Sequence, residues 1–198
     1  MRILRILVLT ALFWESGILP VSADSAPDMA GWKKHTDDKF GFSVEYPHEW
    51  RLGESLGDGL GVTLYPPWPK SQLSLSGFVN TPSTGQDGGQ SLSEFAAARR
   101  QIIQDQYASK NISLQWEREH IITLGGRPAI QLTFAYRDDT QTAMLEFHIF
   151  SIGRAEGRDV RIKMPAADRI AMMPTISRVL QSYDVGRDPD TGKQQISP

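Results

Sequence analysis

The sequence predicts an α+β domain in which a central antiparallel sheet is flanked by helices, an α/β/α sandwich. Three observations carry this. Several stretches alternate apolar and polar residues with the period of a strand, and short polar connections join them. A helix-start signal and a helical apolar stripe interrupt the strands over residues 91–107. A second stripe of helical spacing, Ile176, Val179, Leu180 and Tyr183, follows the last strand.

Residues 24–37 are small, polar and acidic apart from Trp32, and read as a flexible leader. In the stretch 40–47, Phe40, Phe42, Val44 and Tyr46 share one strand face and Gly41, Ser43 and Glu45 the other. Pro47 cannot donate a ladder hydrogen bond, so the strand is expected to stop there. Trp50, just past it, is expected to pack in the core. Residues 53–61 read as a glycine-rich turn, and 62–65 and 73–79 as short strands. Between them Pro66-Pro67-Trp68-Pro69 favours an extended, rigid loop. Residues 80–90, rich in Ser, Thr, Gly and Gln, read as a mobile surface loop.

Ser91-Leu92-Ser93-Glu94 has the pattern of a capping box, in which the serine and glutamate side chains satisfy each other's free backbone donors. Leu92, Phe95, Ala96, Ile102, Ile103 and Tyr107 then fall in one helical stripe. Arg99 sits inside that stripe and has two readings: a stem that packs while its head reaches water, or an anion-binding arginine at a partly covered site. Strand signals follow at 114–124, 129–136 and 142–152, joined by Gly125-Gly126 and by residues 137–140. Connections that short imply an antiparallel meander. Val160, Ile162 and Met164 mark a further strand whose other face carries Arg161 and Lys163. The final helix begins near Ala166, and Pro174 is expected to kink it or to start a second helix. The single domain is expected to span residues 38–185, with a disordered tail at 186–198.

The amino-terminal residues point to export. Arg2 and Arg5 precede an apolar run from 6 to 14, and Val21-Ser22-Ala23 offers small residues where a signal peptidase needs them. Residues 1–23 therefore read as a signal peptide cleaved after Ala23, with a run too short to span a bilayer. Its removal takes away two arginines and one glutamate, leaving 19 basic and 22 acidic side chains. That slightly acidic balance argues against a general nucleic-acid or anionic-membrane binder. The chain has no cysteine, which excludes thiol catalysis, cysteine zinc sites and an amino-terminal lipid-modified cysteine. A remainder of about 175 residues is large enough to hold a core by packing alone. An exported domain without disulfides fits the bacterial periplasm, so a periplasmic or secreted location is expected.

Three features in this order resemble the PsbP/DcrB-like superfamily of exported α/β/α domains. They are Phe42-Ser43-Val44-Glu45-Tyr46-Pro47 with Trp50, the Gly126-Arg127-Pro128-Ala129 turn into a long strand, and the closing Val179-Leu180-Gln181-Ser182-Tyr183. The resemblance covers roughly residues 38–185. It implies a central antiparallel sheet between helices, and accessory or binding roles more than catalysis. Extrinsic proteins of the photosynthetic oxygen-evolving complex and bacterial envelope proteins belong to this superfamily. Many of its bacterial members are lipoproteins, and this cysteine-free chain departs from them, which favours a soluble periplasmic protein.

Motifs for chemistry are sparse. No Gly-x-Ser-x-Gly elbow occurs, since Gly41-Phe42-Ser43-Val44-Glu45 lacks the second glycine, and a hydrolase is the weakest reading. The glycines at 53–61 lack the Gly-Lys-Ser/Thr of a phosphate loop, and no cofactor is expected. Asp188-Pro189-Asp190-Thr191-Gly192 begins like a calcium loop but lacks the later glutamate. A metal or small-ligand site is an alternative reading: Glu146 and His148, two apart on one strand face, with His120 as a third donor. The leading reading is a non-enzymatic accessory or protein-interaction domain of the bacterial envelope, with an unidentified envelope protein as partner. Its candidate partner-binding residues are Trp68 in its proline frame and the basic cluster Arg154, Arg158, Arg161 and Lys163.

Overall fold

The computed structural model describes residues 31–53, 61–79, 91–117, 119–153 and 156–185. The expected signal peptide, most of the glycine-rich turn, the loop at 80–90, Arg154 and the tail at 186–198 lie outside the described residues. No helix among the described residues is long and apolar enough to cross a membrane.

The meander forms as its short connections require. Strand β8 (Arg127–Arg137) pairs antiparallel with β9 (Ala143–Ile152), and β9 with β10 (Glu156–Pro165). Ahead of them the expected strand at 114–124 divides into β6 (Gln115–Trp116) and β7 (His120–Leu124), which pair with successive parts of β8. Gly125 and Gly126 close β7 onto β8 with positive φ values of 55° and 78°, the left-handed pair that a two-residue hairpin needs. The earlier strands are β3 (Arg51–Leu52), β4 (Gly61–Tyr65) and β5 (Gln72–Val79). Their sheet joins the meander through β5 and β10, giving eight strands in the order β3-β4-β5-β10-β9-β8, with β6 and β7 on the outer side of β8. Strand β10 is therefore central, with β5 on one side and β9 on the other.

Two further strands differ from expectation. Trp32–Asp37, assigned to the leader, is strand β1, and it pairs along its whole length with β2 (Phe42–Pro47) in a separate two-stranded sheet. Nothing in Trp-Lys-Lys-His-Thr-Asp alternates, because β1 is held by main-chain pairing while much of it faces solvent. Strand β2 behaves as its alternation predicts, with Phe42 and Val44 at 1% and 0% exposure and Trp50 also buried.

One helix covers each face of the large sheet. Helix α1 (Leu92–Ala108) starts at the expected capping box, with Ser91 and Glu94 each bonded to the other's backbone N–H. It lies over β8 and β9, placing Ala96 against Ile130 and Phe150, and Ile103 against Phe134 and Met144. Ile102, counted in the stripe, points outward instead. Helix α2 (Arg169–Gln181) follows a 3-10 turn at Ala166–Asp168 and runs through Pro174 as one element. The proline removes a hydrogen bond to the Ile170 carbonyl, but Ile170 is 86% exposed, so water can replace the missing donor. Met172, Ile176 and Val179 of α2 close the main core over Leu145, Phe147, Ile149, Val160 and Ile162, each side chain contributing roughly 1.5–3 kcal/mol on burial.

The β1–β2 hairpin is fixed at its tip by the Phe40 ring, which lies on the strand at Gly77, where an added Cβ would come within 2.2 Å of the ring. Gly77→Ala is expected to displace Phe40 and to cost about 1–3 kcal/mol by overpacking. Urea unfolding of the variant checks this, and an unchanged midpoint would refute the contact.

Candidate functional site

Period-two alternation along β9 places Leu145, Phe147 and Ile149 toward α2, and Glu146 and His148 toward α1. The second pair is fully enclosed, at 3% and 2% exposure. A carboxylate so deeply buried needs donors on both oxygens. Glu146 Oε1 lies 2.8 Å from His148 Nε2, and Oε2 accepts from the Tyr107 hydroxyl at 2.6 Å and, more weakly, from Tyr136 at 3.4 Å. Arg161 approaches from β10, its Nε 3.9 Å from Oε1, too far for a hydrogen bond but close enough to add charge. Phe134 and Phe150 flank the imidazole, at ring distances of 5.5 and 5.9 Å.

Protonation follows from these contacts. Burial alone would raise the Glu146 pKa, but the His148 hydrogen bond and charge, the Tyr107 hydroxyl and the Arg161 charge together hold it below the usual carboxylate value. As an ionised carboxylate only accepts, the His148 Nε2 that faces it carries a proton. Its Nδ1 is buried with no hydrogen-bond partner among the described residues. Burial and the facing Glu146 push Tyr107 above its ordinary range, so it remains a donor. Alongside, Arg99 of α1 donates to Asp159 of β10 at 3.1 Å and lies over the Phe150 ring. The Arg99 stem packs as expected, while its head is paired with Asp159 within the domain instead of being left to water.

The sequence-derived candidates do not form one site. His120 pairs across β8 with Gln131, which pairs with Ile149, so it projects from the face opposite Glu146 and His148 and is exposed. That register separates the three expected metal donors, and no group of three His, Asp or Glu positioned for a metal occurs among the described residues. Arg158 is 3% exposed, not a surface residue. It shares the face of Val160 and Ile162, and its guanidinium donates to the Phe40 carbonyl, to Gly157 O at 3.0 Å and to Glu156 at 2.7 Å. Arg161 and Lys163 face α1, so the expected basic cluster is split between two faces. Trp68 is half-buried against the main core. Its loop is tied down by Lys70, which donates to Asp138 at 2.7 Å and Thr142 at 2.9 Å and also to Thr140.

Sequence reasoning missed Tyr107, Tyr136 and Asp159. Tyr107 counts in the sequence only as part of an apolar stripe, Tyr136 closes the strand signal at 129–136, and Asp159 has no visible partner until β10 meets α1. Chemically, Glu146 is saturated by its donors and shut away from solvent, and among the described residues no serine hydroxyl is hydrogen-bonded to a histidine. A cleft of about 460 Å³ opens at the carboxyl end of α1, between Lys110, Asn111, Arg137 and Asp139, and contains none of the candidate residues.

The layered sheet with one helix on each side matches solved structures. The solution structure of cyanobacterial PsbP from Synechocystis sp. PCC 6803 aligns with a TM-score of 0.57 and 15% identity, covering 83% of this chain and 98% of that one. The fold is PsbP-like. A crystal structure from Bacteroides thetaiotaomicron VPI-5482 aligns at a TM-score of 0.51 and 13% identity over 80% of this chain, which spans 49% of that longer one. LpqN of Mycobacterium tuberculosis, a protein involved in cell envelope biogenesis, reaches 0.47 at 16% identity, over 77% of this chain and 89% of its own. No family model and no curated sequence matches the chain. A PsbP-like fold at such identities carries architecture but no site.

Because the Glu146 pKa is lowered on folding, its contribution to stability is present above the unfolded value and lost as pH falls through the folded one. Glu146→Ala is expected to cost about 3–5 kcal/mol at neutral pH by stranding its partners. Denaturation midpoints measured from pH 7 down to strong acid should show the wild type losing that advantage in acid. Parallel curves at every pH would refute the assignment.

Proposed function

We propose that this chain is an exported, non-catalytic accessory domain of the bacterial envelope that binds a partner along the β10 flank of α1. The observation that carries the reading is the contrast between Glu146 and Arg161. The acid–base groups that could do chemistry are buried and consumed in docking α1. Arg161 lies beside them with its side chain 40% exposed, its Nε 3.9 Å from Glu146 and without a hydrogen-bond partner among the described residues. Lys163, two residues on and facing the same way, is also partly exposed. The PsbP-like fold and the signal-peptide pattern of residues 1–23 support an extrinsic role outside the cytoplasm. Arg158 is buried and its guanidinium donates to the Phe40 carbonyl, and Trp68 is half-buried against the main core, so this reading places the surface on Arg161 and Lys163 instead.

A photoreactive amino acid at position 163, in cells, should yield one discrete adduct, while the same probe at the exposed Lys34 on β1 yields none. Arg161→Gln should weaken the adduct severalfold. Equal labelling at both positions, or none at 163, would sink the proposed surface. Export is tested separately by the mass of the purified mature chain, which should begin at Asp24.

A further inference from the structure

Glu146 and His148 are shut beneath α1, but a set of uncommitted polar groups stands open at the carboxyl end of the same helix. The cleft of about 460 Å³ found there is lined by Lys110, Asn111 and Ser113 on one wall and by Arg137, Asp139 and Gln141 on the other. All six are exposed. The volume falls within the roughly 300–1,000 Å³ of ligand sites.

Both walls are fixed by bonds that leave the lining side chains free. On the helix side, the Asp105, Tyr107 and Ala108 carbonyls accept from backbone N–H groups of residues 109–112, and the Gln106 carbonyl accepts from the Ser109 hydroxyl. The last turn of α1 is therefore satisfied without the Lys110 ammonium. On the sheet side, Asp138 Oδ1 accepts from Thr140 and Thr142, its Oδ2 accepts from Lys70, and Arg137 Nη1 donates to the Gln141 carbonyl at 2.9 Å. Lys70, Asn111 and Gln141 are the non-glycine residues of positive φ among the described residues, and each lies in these walls or braces them. Such backbone persists where its surroundings over-determine it.

What remains in the cleft has a definite chemistry. The side chains of Lys110, Asn111, Ser113 and Asp139 make no hydrogen bond or ion pair among the described residues, and Arg137 is engaged through Nη1 alone. Asp138 is answered by Lys70, so two cations face one unanswered carboxylate, Asp139. This lining suits a ligand with excess negative charge that also brings N–H donors for Asp139 and carbonyls for Asn111 and Gln141. An extended acidic peptide has all three, whereas an inorganic anion has only the charge. A further cation stands along the same end of the helix. Lys110 Nζ lies 5.9 Å from the Tyr107 ring, that ring 4.9 Å from Tyr136, and Tyr136 6.0 Å from Lys163 Nζ. About five residues of extended chain span this path at roughly 3.3 Å each.

We propose that the cleft binds an acidic, extended segment of the envelope partner, with one carboxylate between Lys110 and Arg137 and a second, about four residues along, at Lys163. The inference rests on the reading of the β10 flank of α1 as the partner surface, and it carries that surface round the end of the helix to an anchoring point.

Amide spectra of the nitrogen-15 labelled full chain, at constant ionic strength, test this by titration with a blocked pentapeptide carrying glutamate at its first and fifth positions in a glycine-serine frame. Control arms use the same peptide with glutamine for glutamate, a peptide with its two glutamates adjacent, and inorganic phosphate. The expected result is a saturable shift at residues 110–113, 137–141 and 163, severalfold weaker for the adjacent pair and absent for the glutamine peptide. Lys110→Gln and Arg137→Gln should each weaken binding severalfold, Lys163→Gln should remove the advantage of the spaced glutamates, and Lys34→Gln on β1 should change neither. Equal binding of the glutamine or adjacent-pair peptide, a phosphate response equal to the peptide's, or no saturable shift overturns the proposal. If the titration fails while labelling from position 163 persists, the cleft falls and the partner surface stands. If labelling fails while the spaced peptide binds, the cleft stands and the envelope-partner reading falls.

Discussion

The pairing of β10 between β5 and β9 is the constraint on which the rest of the molecule turns. It is the seam at which strands from the first part of the chain meet the meander formed after α1, and its two faces impose different rules. Val160, Ile162 and Met164 on one face are simply apolar and accept α2 through packing. Asp159, Arg161 and Lys163 on the other bring charge under a helix, so α1 can settle only where each charge is answered or left a path to water.

That asymmetry explains why the two helices are held differently. Helix α2 depends on shape and area, and it tolerates a proline within its length because the broken bond faces outward. Helix α1 buries few large apolar side chains beyond Ile103. It compensates with directed contacts: Tyr107 to Glu146, Arg99 to Asp159, and Gln104 to the Trp116 indole at 2.8 Å. Such contacts specify register and orientation more sharply than area does, since each is lost by a shift of an ångström or two.

Much of this could be read from the sequence, because local rules decide it. The capping box at Ser91, the glycine pair at 125–126 and the alternation in β2, β8 and β9 each use a few adjacent residues, and all appear where expected. The common face of Glu146 and His148 was legible for the same reason. What their face met was not, since His120 falls on the opposite side only through a register set across three strands. Arg158 is the instructive case: its parity with Val160 and Ile162 was visible, but a run of basic residues read as one patch concealed it. Strand β1 carried no signal at all, because main-chain pairing needs no side-chain pattern.

The short bridge between Ser43 and Asp184, made by two reciprocal backbone hydrogen bonds of 2.8 and 2.9 Å, joins the second strand to the residues just after α2. The entropy lost in closing so long a loop grows only with the logarithm of its length, yet it falls due before the bridge returns anything. Contacts this distant in sequence form slowly. Two hydrogen bonds thus tie the first described hairpin to the end of α2, so that residues 43 and 184 enclose nearly the whole described domain between them.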